Sequence, residues 1–257
     1  MVELLRANSE LRKDRVWNWT LPAWVVKLPD GRNVNVCPQA GACKDFCYAR
    51  NGTYLFPTVR HAHLLNLQFI MDDLSGWSRA MTLELADAKF RPTGRPRFTE
   101  QQITDLSLDQ WAANWSRNGG AAVRIHDSGD FFSDEYLDEW LKIADRYPEI
   151  LFYAYTKEVT RFRERVQNPP SNFRYLFSMG GKLDSKIQPE LDRHAEVFAS
   201  FDDIAAAGYL DQTDNDLLAV LLPTTRVGIP ANNIPHFNKK LAGRTFGEAQ
   251  NDRRRAK

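Results

Sequence analysis

The sequence predicts an α/β protein, with one parallel sheet, crossover helices and the curvature of a partial (β/α) barrel. A doubly wound sheet is the alternative. Three observations carry this. Short apolar, aromatic and β-branched runs begin near residues 121, 151, 173, 195 and 216, a spacing that leaves room for a helix between successive strands. The segment SDEYLDEWLKIADRY at 133–147 is amphipathic at helical period. A sixth strand is expected just before a loop that holds every cysteine of the chain.

The elements follow in order. WVVKL (24–28) and NVNVC (33–37) flank a Pro-Asp-Gly turn and read as two short strands. The cysteine loop leaves the second of them. Residues 58–90 read as helix with a break near Ser75-Gly76, and 99–117 as another, with Thr99 as cap and Glu100 in the first turn. AAVRIH (121–126) is a strand. The helix at 133–147 starts on Ser133 and repeats Tyr136, Leu137, Trp140, Leu141 and Ala144 along one face. LFYAYT (151–156) is a strand, 158–166 a helix, and FRYLFSMG (173–180) and AEVFASF (195–201) are strands. DDIAAAG reads as a short helix, and DLLAVLL (216–222) as the last strand.

With no internal repeat and no low-complexity linker, 1–237 reads as a single domain. Residues 238–257 read as a flexible basic tail, carrying Lys239, Lys240, Arg244, Arg253, Arg254, Arg255 and Lys257 against Glu248 and Asp252. A solvated, frayed end is the ordinary meaning of such a segment; an arm touching nucleic acid or an acidic partner is the sharper one.

Composition removes several classes. The net charge is +1, from 34 basic and 33 acidic residues, so no global excess exists to grip a phosphate backbone. Hydrophobic residues make up 43% and aromatics 12%, enough for a core without disulfide staples. The start, MVELLRANSELRKDR, lacks the apolar stretch of a secretory leader. The longest apolar run, LLAVLLP at 217–223, is too short to span a bilayer. A soluble, intracellular protein is expected, and in a reducing compartment clustered thiols read as metal ligands or redox groups.

In either architecture chemistry gathers where strands end. Those ends carry Cys37, Cys43 and Cys47; His126, Asp127, Ser128 and Asp130; Tyr155 and Lys157; Ser178 to Lys182; Ser200 to Asp203; and Pro223 to Arg226. The spacing C-x5-C-x3-C offers soft thiolates that suit an iron–sulfur cluster, [4Fe–4S] in particular, or zinc. Zinc would need a fourth ligand from His61, His63 or His126. His126 could be a general base, a ligand or a hydrogen-bonded scaffold residue, with Asp127 and Asp130 orienting it. Gly180-Gly181-Lys182 could cradle an anion, although no P-loop or dinucleotide fingerprint is present. No Ser/His/Asp triad can be argued.

The loop resembles that of radical-SAM enzymes, in which three thiolates on the first barrel loop leave one iron open; Phe46 precedes Cys47 as an aromatic precedes their last cysteine. Both gaps are longer here, which argues against S-adenosylmethionine chemistry. Two stretches, CPQAGACKDFCYARNG and RIHDSGDFFSDEYLDEWLKIADRYPEILFYAYTK, together resemble an actinobacteriophage family with a three-cysteine loop and an RIHDSGDFFS core. Within it the chain is similar to recombination directionality factors of phages encoding a large serine integrase. That resemblance implies a cytoplasmic regulator in a bacterial host cell. It would bind the integrase–DNA complex and switch it from integration to excision (attL × attR), with no catalytic residue of its own and only auxiliary DNA contact. An iron–sulfur, radical-SAM-like enzyme and a DNA-binding accessory protein are the alternatives.

Overall fold

The computed structural model describes residues 3–212, 215–231 and 234–256. Nine strands are described: β1 Val16–Trp19, β2 Val25–Lys27, β3 Asn33–Asn35, β4 Ala122–Ile125, β5 Leu151–Thr156, β6 Phe173–Ser178, β7 His194–Phe198, β8 Leu210–Asp211 and β9 Arg226–Pro230. Seven form one sheet in the order β1-β4-β5-β6-β7-β9-β8. Every pairing in it is parallel, so the α/β architecture is as the strand–helix rhythm predicts. The barrel is not closed.

Two expectations about the sheet change. The strand that opens it is not the one before the cysteine loop. β2 and β3 form a separate antiparallel hairpin, and β1 takes the edge, with Val16 opposite Ala122 and Trp19 opposite Ile125. DLLAVLL is not the last strand either: Leu218–Leu221 is a short helix, and the strand lies beyond it at β9. A four- to eight-residue apolar run is compatible with a buried helix as well as a strand. Here Arg193 settles it by donating to the carbonyls of Ala219 (3.0 Å) and Leu222 (2.6 Å) at the helix end. In β9, Gly228 lets Ile204 pack against the backbone, since a Cβ there would lie 2.3 Å from its side chain. That glycine and Pro230 hide the strand from a propensity reading.

Helix ends fall where capping chemistry puts them. Asp73 ends helix Pro57–Asp72 and caps Leu74–Leu85 by accepting from the Gly76 amide at 2.7 Å. The 99–117 segment is two helices, Glu100–Asp105 in a Thr99 capping box and Gln110–Arg117 capped by Asp109. Ser133 caps Asp134–Arg146.

Strand alternation gives the sheet two faces. One buries Trp19, Ile125, Phe152 and Ala154 against Trp77, Tyr136, Trp140 and Phe162 of the outer helices. The other carries Val16, Ala122, Tyr153, Leu176, Ala195 and Val227. At the amino ends of the strands this inner face is plugged by Trp115, whose indole donates to the Ala121 carbonyl at 2.9 Å, and by Leu217 and Val220. Fully burying such an apolar side chain contributes about 1.5–3 kcal/mol, so the plug is firm and the open end of the inner face is the carboxyl edge.

The expected tail is not frayed. Pro235–Leu241 and Phe246–Arg255 are helices joined at Ala242, which adopts the left-handed conformation. The second has a Thr245–Glu248 capping box, and Leu241 and Ala249 are buried with Ala42 and Phe46 of the cysteine loop. The segment is amphipathic, and its apolar side has a place to go.

Candidate functional site

Above the inner face, at the carboxyl ends of the strands, lies a cavity of about 460 Å³. Its floor comes from the residues two positions beyond the inner core: Arg124 after Ala122, Tyr155 after Tyr153, Ser178 after Leu176, Val197 after Ala195 and Ile229 after Val227. The period of two in each strand places all five on one face. Cys37, Cys43 and Cys47 line it from the loop above, and Phe237, Leu241 and Phe246 from the C-terminal helices.

The loop is held in place by backbone. The Cys43 amide donates to the Gly180 carbonyl at 3.0 Å, and the Lys182 amide to that of Gln39 at 2.8 Å. Lys182 Nζ donates to the Pro38 carbonyl at 2.6 Å. The Ala42 amide donates to Gln250 Oε1 of the last helix at 2.7 Å. Gly41 leaves no room for a side chain, since a Cβ there would lie 2.2 Å from Gln250 Oε1. The Gly180-Gly181 turn does cradle an anion, and it is the chain's own: Asp184 accepts from both amides at 2.8 Å.

All three cysteines are free thiols, half-buried. Burial is the largest influence on each and pushes all three thiols up; the Asp130 charge adds to it at Cys37, while Lys157 opposes it at Cys43. Such thiols give up protons to a metal that takes the thiolate. Among the described residues no group of three or more His, Cys, Asp or Glu closes on a point that would hold a single ion. None of the candidate histidines completes a zinc site. His126 Nε2 is bonded to Tyr136, the His63 ring packs on Tyr54, and His61 is exposed.

The other expected site residues sort into frame and lining. The Tyr136 hydroxyl accepts from the Trp19 indole at 2.7 Å and is hydrogen-bonded to His126 Nε2 at 2.8 Å. His126 Nδ1 is buried without a partner, and burial holds the imidazole down to about 3. His126, at φ 67°, is a neutral scaffold residue. Asp130 is a clamp: it accepts from Thr156 Oγ1 (2.7 Å), the Lys157 amide (2.9 Å) and the Phe131 amide (2.8 Å), tying the β4 exit to the end of β5. Asp127 anchors the cysteine loop, taking the Tyr54 hydroxyl on its carboxylate and that of Tyr48 on its carbonyl. Ser128 Oγ is buried with no partner. Lys157 Nζ donates to Ser178 Oγ at 2.7 Å.

The chain matches the Gene product 88 family over residues 2–257. It belongs to that family. The match supports a phage protein family, the coarser part of what the two motifs suggest. No curated protein and no solved structure matches the chain.

Several site residues of this Gene product 88 member escape a sequence reading. Arg124 is half-buried on the cavity floor, 3.4 Å from Asp216, which also accepts from Tyr153 (2.5 Å) and Tyr155 (2.9 Å). A lone arginine in the apolar strand AAVRIH was the available signal. Gln250 had none. The basic residues split: Arg253 pairs with Asp45 at 2.9 Å, Lys240 approaches the same carboxylate at 3.9 Å, and Arg244 pairs with Asp252 at 3.0 Å, whereas Lys239, Arg254 and Arg255 are exposed. No helix among the described residues is long and apolar enough to cross a membrane.

Proposed function

We propose that this protein is an iron–sulfur enzyme with a radical-SAM-like arrangement, acting on a small molecule in the cavity at the carboxyl edge of its sheet. The observation that carries the reading is that all three thiols of the chain, unpaired, line one walled cavity above a parallel sheet. Cys37, Cys43 and Cys47 would hold the cluster, and three thiolates leave one iron open to a ligand. The protein's own part is to fix the loop through Gly180, Gln39 and Gln250, to keep water off the floor with the C-terminal helices, and to present Arg124, Tyr155 and Lys157 to the occupant. The test is anaerobic purification followed by iron and sulfide assay and a visible spectrum. Brown protein with about four irons per chain is expected for a [4Fe–4S] cluster. Colourless protein with stoichiometric zinc overturns the reading. Cleavage of S-adenosylmethionine under reduction would extend it to radical chemistry despite the longer cysteine spacing.

A second reading is the recombination directionality factor, favoured by membership of a phage family along the whole chain. Arg244, Arg253 and Lys240 face the chain's own carboxylates, which favours protein contact with an integrase–DNA complex over a free basic arm. Stimulation of attL × attR joining by the cognate integrase is its test, and no stimulation sinks it. DNA binding without integrase, with steep salt dependence, would favour the accessory-protein alternative.

A further inference from the structure

The charges lining the cavity do not balance in the way a closed internal network would. Its three carboxylates are committed. Asp130 holds three donors, Asp216 holds two tyrosines and Arg124, and Asp127 takes Tyr54 and faces Arg124 at 3.8 Å. Two cations lining the same cavity, Lys44 and Arg50, have no carboxylate within ion-pair distance among the described residues, whereas the Lys157 charge acts on Asp130 and Asp184. The one acid between Lys44 and Arg50, Asp45, is turned away to Arg253 and Lys240.

Lys44 and Arg50 converge on one ring. The Lys44 ammonium lies 5.2 Å and the Arg50 guanidinium 4.9 Å from the Trp24 ring centre. Trp24 itself sits at φ 65°, unusual for a bulky residue. It is pinned there by its amide donating to Cys37 Sγ at 3.3 Å and its carbonyl accepting from the Val36 amide at 2.8 Å. The indole attracts both cations but brings no formal negative charge, so neither is neutralised there. Backbone strain held in place beside a cavity is a feature of ligand clamps. Another part of the lining is apolar and aromatic, made of Phe46, Phe237, Leu241 and Phe246. Within the cavity the buried Ser128 hydroxyl has no partner.

We propose that the cavity binds a nucleotide-sized organic phosphate. Lys44 and Arg50 take the phosphate at the mouth, Lys157 lies on the strand side, and the apolar wall takes the aromatic body. A phosphate monoester carries close to two charges near neutral pH, which matches a cluster of cations better than a carboxylate does. The inference names the substrate class for the site proposed above and rests on that site being the working one.

Isothermal titration of anaerobically purified protein with AMP, adenosine and inorganic phosphate tests it, with iron and sulfide measured on the same samples. AMP is expected to bind at least tenfold more tightly than adenosine. Lys44→Ala and Arg50→Ala should each weaken AMP at least fivefold and leave adenosine unchanged, with Arg50→Lys recovering part of the loss. Equal affinity for AMP and adenosine overturns the proposal, as does AMP binding that both alanine variants retain, or no binding of any probe at millimolar concentration. The two readings fail separately. Protein that carries iron and sulfide but ignores AMP refutes the phosphate site alone, and AMP binding to protein that takes up no cluster refutes the iron–sulfur reading alone.

Discussion

Gln250→Ala tests whether the last helix locks the cysteine loop. The side chain is 4% exposed and accepts from the Ala42 amide at 2.7 Å, across 208 positions of sequence. Removing it leaves a buried N–H with no acceptor, which costs about 1–3 kcal/mol. The neighbouring lock is different in kind. Arg253 and Asp45 meet at 2.9 Å with side chains 35% and 36% exposed, so solvent screens the pair to about 0–1 kcal/mol. The two variants are therefore ordered: Gln250→Ala should lower Tm by several degrees, at about 2–4 °C per kcal/mol for a chain near this size, and Arg253→Ala by less. The local effect should be larger than the global one. Cys43, one residue beyond Ala42, should react faster with an alkylating reagent, followed cysteine by cysteine by mass spectrometry. An Arg253→Ala loss that equals or exceeds that of Gln250→Ala would refute this ranking, as would an unchanged Cys43 rate in Gln250→Ala.

Three further outcomes are expected. Glu196 accepts from the Gly247 amide at 3.0 Å where the last helix begins, and burial holds its carboxyl up to about 7 from an ordinary 4.5. A carboxyl raised on folding stabilises fully below the lower value and loses that contribution as pH rises through the upper one, roughly 3 kcal/mol in all. Denaturant unfolding should therefore show wild type losing stability relative to Glu196→Gln between pH 4.5 and 7, and parallel curves would contradict it. Asp184→Ala strips the acceptor from the Gly180 and Gly181 amides and should cost about 1–3 kcal/mol; Asp184→Asn, which keeps one acceptor oxygen, should cost less in the same assay. Gly180→Ala forces a side chain onto φ 92° and within 3.2 Å of the Cys43 and Phe246 Cβ atoms, so a loss of at least about 1 kcal/mol is expected, together with lower iron content after cluster reconstitution. Full stability and full iron in that variant would mean that the loop does not depend on this contact.

What the sequence determined by itself is the local grammar. Helical period placed Asp134–Arg146, with Ser133 and Thr99 read as caps and a break near Ser75-Gly76, because capping needs only neighbours within one turn. Strand period and spacing predicted a parallel sheet, and the rule that chemistry gathers at strand ends brought Cys37, Asp127, Asp130, Tyr155, Lys157 and Ser178 to one cavity, but not residues 200–203 or 223–226. Other features depended on distant partners. Val16–Trp19 became an edge strand because it pairs with Ala122–Ile125, and an equally apolar LLAVLL became a helix beneath Arg193. The Thr245–Glu248 box could have announced a helix at the C-terminus, but nothing local says that it seats on Ala42 and Asp45. In sequence His126 could be base, ligand or hydrogen-bonded scaffold and the Gly180-Gly181 cradle could take any anion; tertiary structure filled them with Tyr136 and Asp184. The reason is physical. Periodicity and capping are set by backbone geometry over a few residues, whereas the partner of a buried polar group is chosen by whatever the folded chain brings within 3 Å of it.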